Sequence, residues 1–412
     1  LQQTPRRNRP LAVQACLAAV LVMLAQIIGQ PTLAVPANSA DQVVPDKEIL
    51  IGSCSALSGV AGGLGSQQLV GAEAYFNYIN DAGGIFGRKI AVRRYDDQYD
   101  PKRKEQAFAH FKADKCFMAA FFTGSVTSVW YVPQMEQQKI PAIGFMTGSE
   151  ILRKPIRSHI FAVRANYDDE MRVQLDRIWR DLGSQKVAII YPEMTGGSPI
   201  KKATEVALQG LGEQPVAYGL YPLNSLDVDS ALKTVQLAKP DIVVFAGTYR
   251  LFGQAIKRAH AVGWHPLFMC TSLVGPEELV EACGKDADGV LLSQVLPPYY
   301  RDDLPTVVLY KQILKKYFPN EKPNMTSFEG FVNAMVIVDG LKRAGKNLTR
   351  SSFVSALESI HNEDVGLGGS LKLTYSPTRH QGFDTVYTIQ IRDGIPEAYF
   401  SAKQIKRETS GR

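Results

Sequence analysis

Residues 49–101 run from a short apolar stretch through a Ser/Gly loop into a long helical pattern, then a second apolar stretch and an acidic helix start. A strand–helix–strand order of this kind builds a parallel sheet covered by helices. The first strand ends in small hydrogen-bonding residues, at the sheet edge where open α/β folds take up ligands.

The alternation continues. Apolar stretches at 49–54, 90–95, 117–122 and 142–145 read as strands. Leu69, Ala72, Tyr75, Phe76 and Ile79 give 67–80 a helical period that Gly83-Gly84 ends, and 126–137 reads as a second helix. A new series begins at 160–163, with strands at 186–191, 241–246, 266–270 and 290–294 and helices at 200–210, 230–238, 251–262 and 277–282. Helices then fill 306–318, 326–344 and 351–360, and the end turns β-like at 369–374 and 385–391. The expected class is α/β: two Rossmann-like lobes with parallel sheets joined by a multi-crossing hinge. Residues 46–165 with 296–380 form the first lobe and 166–295 with 381–400 the second, leaving a tail at 401–412. The crossings are expected near 161–167, 294–299 and 380–383.

At 412 residues, two cores are the natural expectation, and 45% hydrophobic with 21% charged residues is a globular composition. Of the formal charge of +6, Arg6, Arg7 and Arg9 supply three, ahead of an apolar run from Leu11 to Ile28 and a small-residue exit at Thr32-Leu33-Ala34. That is the order of a cleavable export signal over 1–34, cut near Ala34, followed by a linker over 35–45. An uncleaved anchor is the competing reading, opposed by Gln14, Gln26 and Pro31. No Lys/Arg run is interleaved with aromatics, so nucleic acid is not an expected partner. Export permits disulfides, and Cys270 with Cys283 is the most plausible pair, beside the equal alternative of buried thiols.

The loops at the strand ends carry the chemistry. Ser58 to Gly65, Gly124-Ser125, Thr147-Gly148, Tyr191, Thr248-Tyr249 and Thr271-Ser272 would all face one cleft. Each alone is an ordinary helix start, since Ser, Thr and Gly cap helices. Together their hydroxyls and N–H groups suit an anionic or carbonyl oxygen without a cation. Gly59, Gly62 and Gly65 read as backbone relief for a close ligand contact. The glycine loop lacks the lysine of a phosphate loop and GxGxxG in register, so a nucleotide site is not expected. Asp96, Asp97 and Asp100 suggest metal at first sight, but Asp100-Pro101 reads more simply as an N-cap before a first-turn proline. GxSxG and HExxH are both absent from the sequence, so no catalytic residue, cofactor or metal is assigned.

Several motifs, in order, resemble one family. They are Leu57-Ser58-Gly59 with Gly65, Asn80-Asp81-Ala82-Gly83-Gly84-Ile85 with Gly87-Arg88-Lys89, and Asp96 to Pro101. Gly124-Ser125 with Thr127-Ser128, Thr147 to Glu150, Arg164-Ala165-Asn166-Tyr167 and Thr271 to Gly275 complete the set. The chain is similar over about residues 48–395 to type I periplasmic solute-binding proteins of the branched-chain amino-acid-binding branch, which serve ABC importers. The resemblance implies that fold, a ligand oxygen held at Ser125 and at Thr147-Gly148, and a first-lobe wall at Ser58 and Leu64. It implies closure by Tyr191, Gly196, Thr248, Tyr249 and Ser272. It also implies an extracytoplasmic binding protein delivering an amino acid, amide or small or aromatic carboxylate to a membrane permease. Ser272 stands where amino-acid-binding members place an acid for the α-ammonium, which leans the ligand towards an acid or amide. Glu193 or Glu329 is a possible substitute. A ligand-sensing subunit for a membrane receptor is the alternative, and an exported enzyme is the third reading.

Overall fold

The structure, a computed structural model, describes residues 47–369 and 371–399. The export segment, its cleavage point, the linker and the tail lie outside the described residues. Among those described, no helix is long and apolar enough to cross a membrane.

The first sheet is built from β1 (Glu48–Ser55), β2 (Lys89–Asp96), β3 (Met118–Ala120), β4 (Ala142–Ile143) and β5 (Ile160–Phe161), all parallel, in the order β2-β1-β3-β4-β5. Helices α1 (Gly62–Asp81), α2 (Lys104–Ala113) and α3 (Gly124–Gln137) connect them. The second group contains α4 (Tyr167–Leu182), β6 (Val187–Glu193), α5 (Pro199–Gly210), β7 (Ala217–Pro222), α6 (Asp229–Leu237), β8 (Ile242–Phe245), α7 (Tyr249–Ala261), β9 (Leu267–Cys270), α8 (Pro276–Cys283) and β10 (Leu291–Gln294). Next come α9 (Pro305–Tyr317), α10 (Met325–Ala344) and α11 (Arg350–Glu358), which pack on the first sheet in one apolar core with Ile49, Phe121 and Phe161. After a small hairpin of β11 (Glu363–Asp364) and β12 (Lys372–Leu373), β13 (Tyr387–Arg392) and β14 (Ile395–Ala398) return to the second sheet. Its order is β14-β13-β10-β9-β8-β6-β7, and β13 and β14 are antiparallel additions at one edge.

The chain thus passes between sheets after β5, after β10 and before β13. The first and third passes are tied together: Ala162 N–H donates to His380 carbonyl at 2.8 Å, and Gly382 N–H returns to Ala162 carbonyl at 2.8 Å. Two of the crossings expected to serve as the hinge are thus bonded side by side, through a parallel bridge between Ala162 and Gln381.

Four local expectations change. Helix α1 begins five residues before the period at 67–80 shows, because the intervening glycines carry no side chains to mark it. Those glycines relieve chain-to-chain crowding, not ligand contact: a Cβ at Gly65 would lie 2.0 Å from Ala56 carbonyl, and Gly59 sits at φ +74° against Gln98 carbonyl. Asp100 is not the cap of α2, which starts at Lys104; it closes a separate turn, accepting from Lys102 N–H at 2.9 Å. Cys270 and Cys283 are free, buried thiols. Cys283 ends α8 and donates to Leu279 carbonyl at 3.2 Å, while Cys270 leans on Leu291 of β10, so neither sulfur is aimed at the other.

Candidate functional site

Four hydroxyls gather at four successive strand ends of the first sheet. Ser125 follows β3 as the second residue of α3, Thr147 follows β4, and Tyr167 opens α4 after β5. Ser125 Oγ lies 2.7 Å from Thr147 Oγ1, which also accepts from Ser149 N–H at 3.1 Å. Tyr167 is buried, its hydroxyl is directed at Ser125 and Thr147, and its oxygen has no settled partner. Burial pushes its phenol up, partly opposed by the Arg164 charge. Gly148 makes room for this: its Cβ would meet the Tyr167 nitrogen at 2.5 Å and ring at 2.6 Å.

The fourth hydroxyl corrects an expectation. Tyr99, after β2, places its phenol oxygen at the N–H groups of Ser125 and Val126. A Cβ on Gly124 would lie 2.4 Å from it, and Gly124 itself has φ +59°. Gln98 and Tyr99 take left-handed backbone, φ +56° and +60°, and Asp97 Oδ1 holds the Tyr99 N–H at 2.9 Å. The helix start expected to receive a ligand oxygen directly is therefore covered by a phenol.

The remaining candidates divide. Ser58 is exposed and gives its hydroxyl to Asp96 Oδ2 at 2.5 Å, while Asp96 Oδ1 accepts from the Leu57, Ser58 and Gln98 N–H groups. Leu64 is fully buried, and a Cβ on Gly275 would lie 3.0 Å from its side chain. Tyr249 accepts from Gly63 N–H at 3.3 Å, a direct bond between the two lobes. Thr248 is buried beside it at the head of α7. Ser272 N–H donates to Glu170 Oε2 at 2.9 Å, and its hydroxyl has no hydrogen-bond partner. Tyr191 is half-buried with Lys201 Nζ 5.5 Å above its ring. Ala56, Leu64, Tyr99, Val126 and Met146 of the first lobe join one apolar cluster with Tyr221 and Tyr249 of the second, so the lobes are shut on each other.

Between them remains a cavity of about 360 Å³, lined by Gly148, Ser149, Glu150, Tyr167 and Asp168 and, opposite, by Gly196, Gly197, Ser198, Lys201 and Lys202. Lys202 Nζ reaches Glu150 Oε2 across it at 3.3 Å. Tyr99 and Tyr167 are the site residues that sequence reasoning missed. Tyr167 stood in the quoted Arg-Ala-Asn-Tyr motif without a role. Behind the site, Arg164 lies 3.5 Å from Glu170 Oε1 and 3.6 Å from Glu329 Oε1, all three buried. Glu329 is thus engaged by a cation, and Glu193 is exposed at the end of β6. Among the described residues, no His/Cys/Asp/Glu group has metal-binding geometry.

Residues 48–395 match the family described as periplasmic binding protein. The Leu/Ile/Val-binding protein homolog 3 of Brucella melitensis is 24% identical over 340 residues, covering 80% of this chain and 88% of that one. A possible leucine/isoleucine/valine-binding protein from Rhodopirellula baltica superposes with a TM-score of 0.82 at 24% identity, over 87% of this chain and 98% of that one. A fatty acid ABC transporter substrate-binding protein from Thermomonospora curvata gives 0.76 at 20% identity, over 88% and 95%.

Proposed function

The chain belongs to the periplasmic binding protein family, and from that premise we propose that it captures a small solute outside the cytoplasm and delivers it to the permease of an ABC importer. The observation that carries this reading is the hydroxyl cluster of Tyr99, Ser125, Thr147 and Tyr167, set beside a cavity whose other wall belongs to the second lobe. Hydroxyl donors bind a carboxylate or amide oxygen, and Tyr167 carries the cluster into the cavity wall, where Ser149, Glu150, Asp168, Ser198, Lys201 and Lys202 offer polar partners to the remainder. The solute is therefore a compact acid or amide, a class that includes the leucine, isoleucine and valine for which relatives are named. Its release follows reopening at the paired hinge strands, which needs only a difference in affinity between the two states.

Binding rather than turnover is supported by the company Ser125 keeps. Among the described residues its hydroxyl bonds to another hydroxyl, with no histidine or carboxylate to act as base. A thermal-shift screen of amino acids, their des-amino acids and their amides is expected to raise the melting temperature with at least one class. At a hundredfold excess over Kd the gain is about 2.7 kcal/mol. A flat response across all three classes contradicts the proposal.

A further inference from the structure

Two carboxylates of the second lobe lie against the first where the lobes meet. Glu277 and Glu278 occupy the first turn of α8, and the starts of α1 and α10 close over them. Glu277 Oε2 accepts from Met325 N–H at 3.2 Å, and its other oxygen is buried without a partner. Glu278 is 5% exposed, and both its oxygens are buried without a hydrogen bond of good geometry. Its Cγ would lie 3.6 Å from a Cβ on Gly63, and Thr326 is its polar neighbour from the first lobe.

The nearest cations on α7 are engaged elsewhere. On α8 itself Glu281 adds a further negative group. From α7, Arg250 Nε donates to Tyr249 hydroxyl at 3.2 Å, and Lys257 Nζ is spent on Ala282 carbonyl at 2.8 Å. Lys285 and Asp286 follow the far end of α8, and Glu397 lies on β14, which packs against it. Tyr299, Tyr300 and Tyr310 face the pair from the segment after β10 and from α9. Glu321, held by Gln67 Nε2 at 2.9 Å, stands outside α10. Among the described residues no ion pair reaches Glu277 or Glu278.

We propose that Glu277 and Glu278 form a proton-dependent latch: the lobes close with both carboxyls protonated and reopen as the two ionise. This rests on the reading of the lobes as a closing clamp. Burial, with Glu278 as neighbour, pushes Glu277 from the usual 4.5 up to about 8, and burial pushes Glu278 to about 7. Opening returns both side chains to water and to ordinary carboxylate behaviour. The sign follows: with the closed-state values raised, closure is least opposed below about pH 4.5, where both states are protonated. It weakens as pH rises, because the open state ionises first, and the weakening levels off above the closed-state values. Between pH 5 and 7 the closed-to-open ratio falls by about tenfold per pH unit for each carboxyl.

Single-molecule energy transfer between dyes on the exposed positions Glu105→Cys and Lys233→Cys, in the ligand-free chain carrying Cys16→Ser, reads this ratio, since Cys54, Cys116, Cys270 and Cys283 are buried. The closed population is expected to drop at least tenfold from pH 5.5 to 8.0. In the Glu277→Gln/Glu278→Gln chain, whose amides mimic the protonated acids, it is expected to stay high and nearly flat. Glu278→Gln alone gives an intermediate profile. Two distances whose balance ignores pH, or a double variant with the unaltered profile, would overturn the latch and leave the clamp standing. One fixed distance under every condition would overturn both.

Discussion

Alanine at Gly71 or at Gly330 is expected to destabilise the first lobe by about 3 kcal/mol or more, the upper range for overpacking. Helices α1 and α10 cross with their backbones in contact. A Cβ on Gly71 would sit 1.7 Å from Ser327 carbonyl, and one on Gly330 1.9 Å from Gln68 carbonyl. Both obstacles are main-chain atoms within helices, so neither can swing aside, and the helices must separate along their length. Tyr310 hydroxyl, 2.5 Å from Ser327 Oγ, would be displaced with them. Urea unfolding checks this against Gly210→Ala at the exposed end of α5, where a Cβ meets nothing within 4 Å. That control is expected to be neutral or slightly stabilising. The same crossing aims the starts of α1 and α10 at Glu277 and Glu278, so a Gly71 variant that still folds should lose the pH dependence of closure as well.

Arg164→Met is expected to cost about 3–5 kcal/mol, the usual penalty for removing one partner of a buried ion pair. The methionine fills much of the same volume, so the loss is electrostatic: Glu170 and Glu329 remain buried together without the cation that bridged them. Glu329, already pushed up by burial, is held down by Arg164 and raised by Glu170. Without the guanidinium Glu329 protonates more readily. The damage should therefore shrink as pH falls through the raised range of Glu329 and be full once that carboxyl is ionised. Adding Glu170→Gln and Glu329→Gln should recover most of the stability in urea unfolding. A single variant equally destabilised at pH 5 and 8 would mean that packing, not charge, holds this contact.

The alternation of strands and helices was legible because each strand is a continuous apolar run between polar loops. Helix α4 escaped because Tyr167–Leu182 is dominated by charge, although Tyr167, Met171, Leu175 and Ile178 keep a helical period and Asn166 caps its start, accepting from Asp169 N–H at 2.8 Å. Strand β7 escaped as a half-exposed edge holding Gly219 and Pro222. Helix α2, with apolar burial confined to Ala107, Phe108 and Phe111, gave a weak stripe. Ser125, Thr147 and Gly148 were legible because strand ends name their own loops. Tyr99 was not, since a left-handed turn swings its ring onto a helix start 25 positions along the chain. Glu277 and Glu278 look like ordinary first-turn acids in sequence, and only the other lobe makes them unusual.

Native mass spectrometry of the chain secreted by its own host tests the central claim most directly. The account predicts one small-molecule adduct per chain, lost or much reduced in Ser125→Ala/Thr147→Ala, since each hydroxyl contributes about 1–3 kcal/mol to a buried oxygen. An adduct equally retained by the double variant, or a bare chain in every preparation, would contradict a solute held by those hydroxyls.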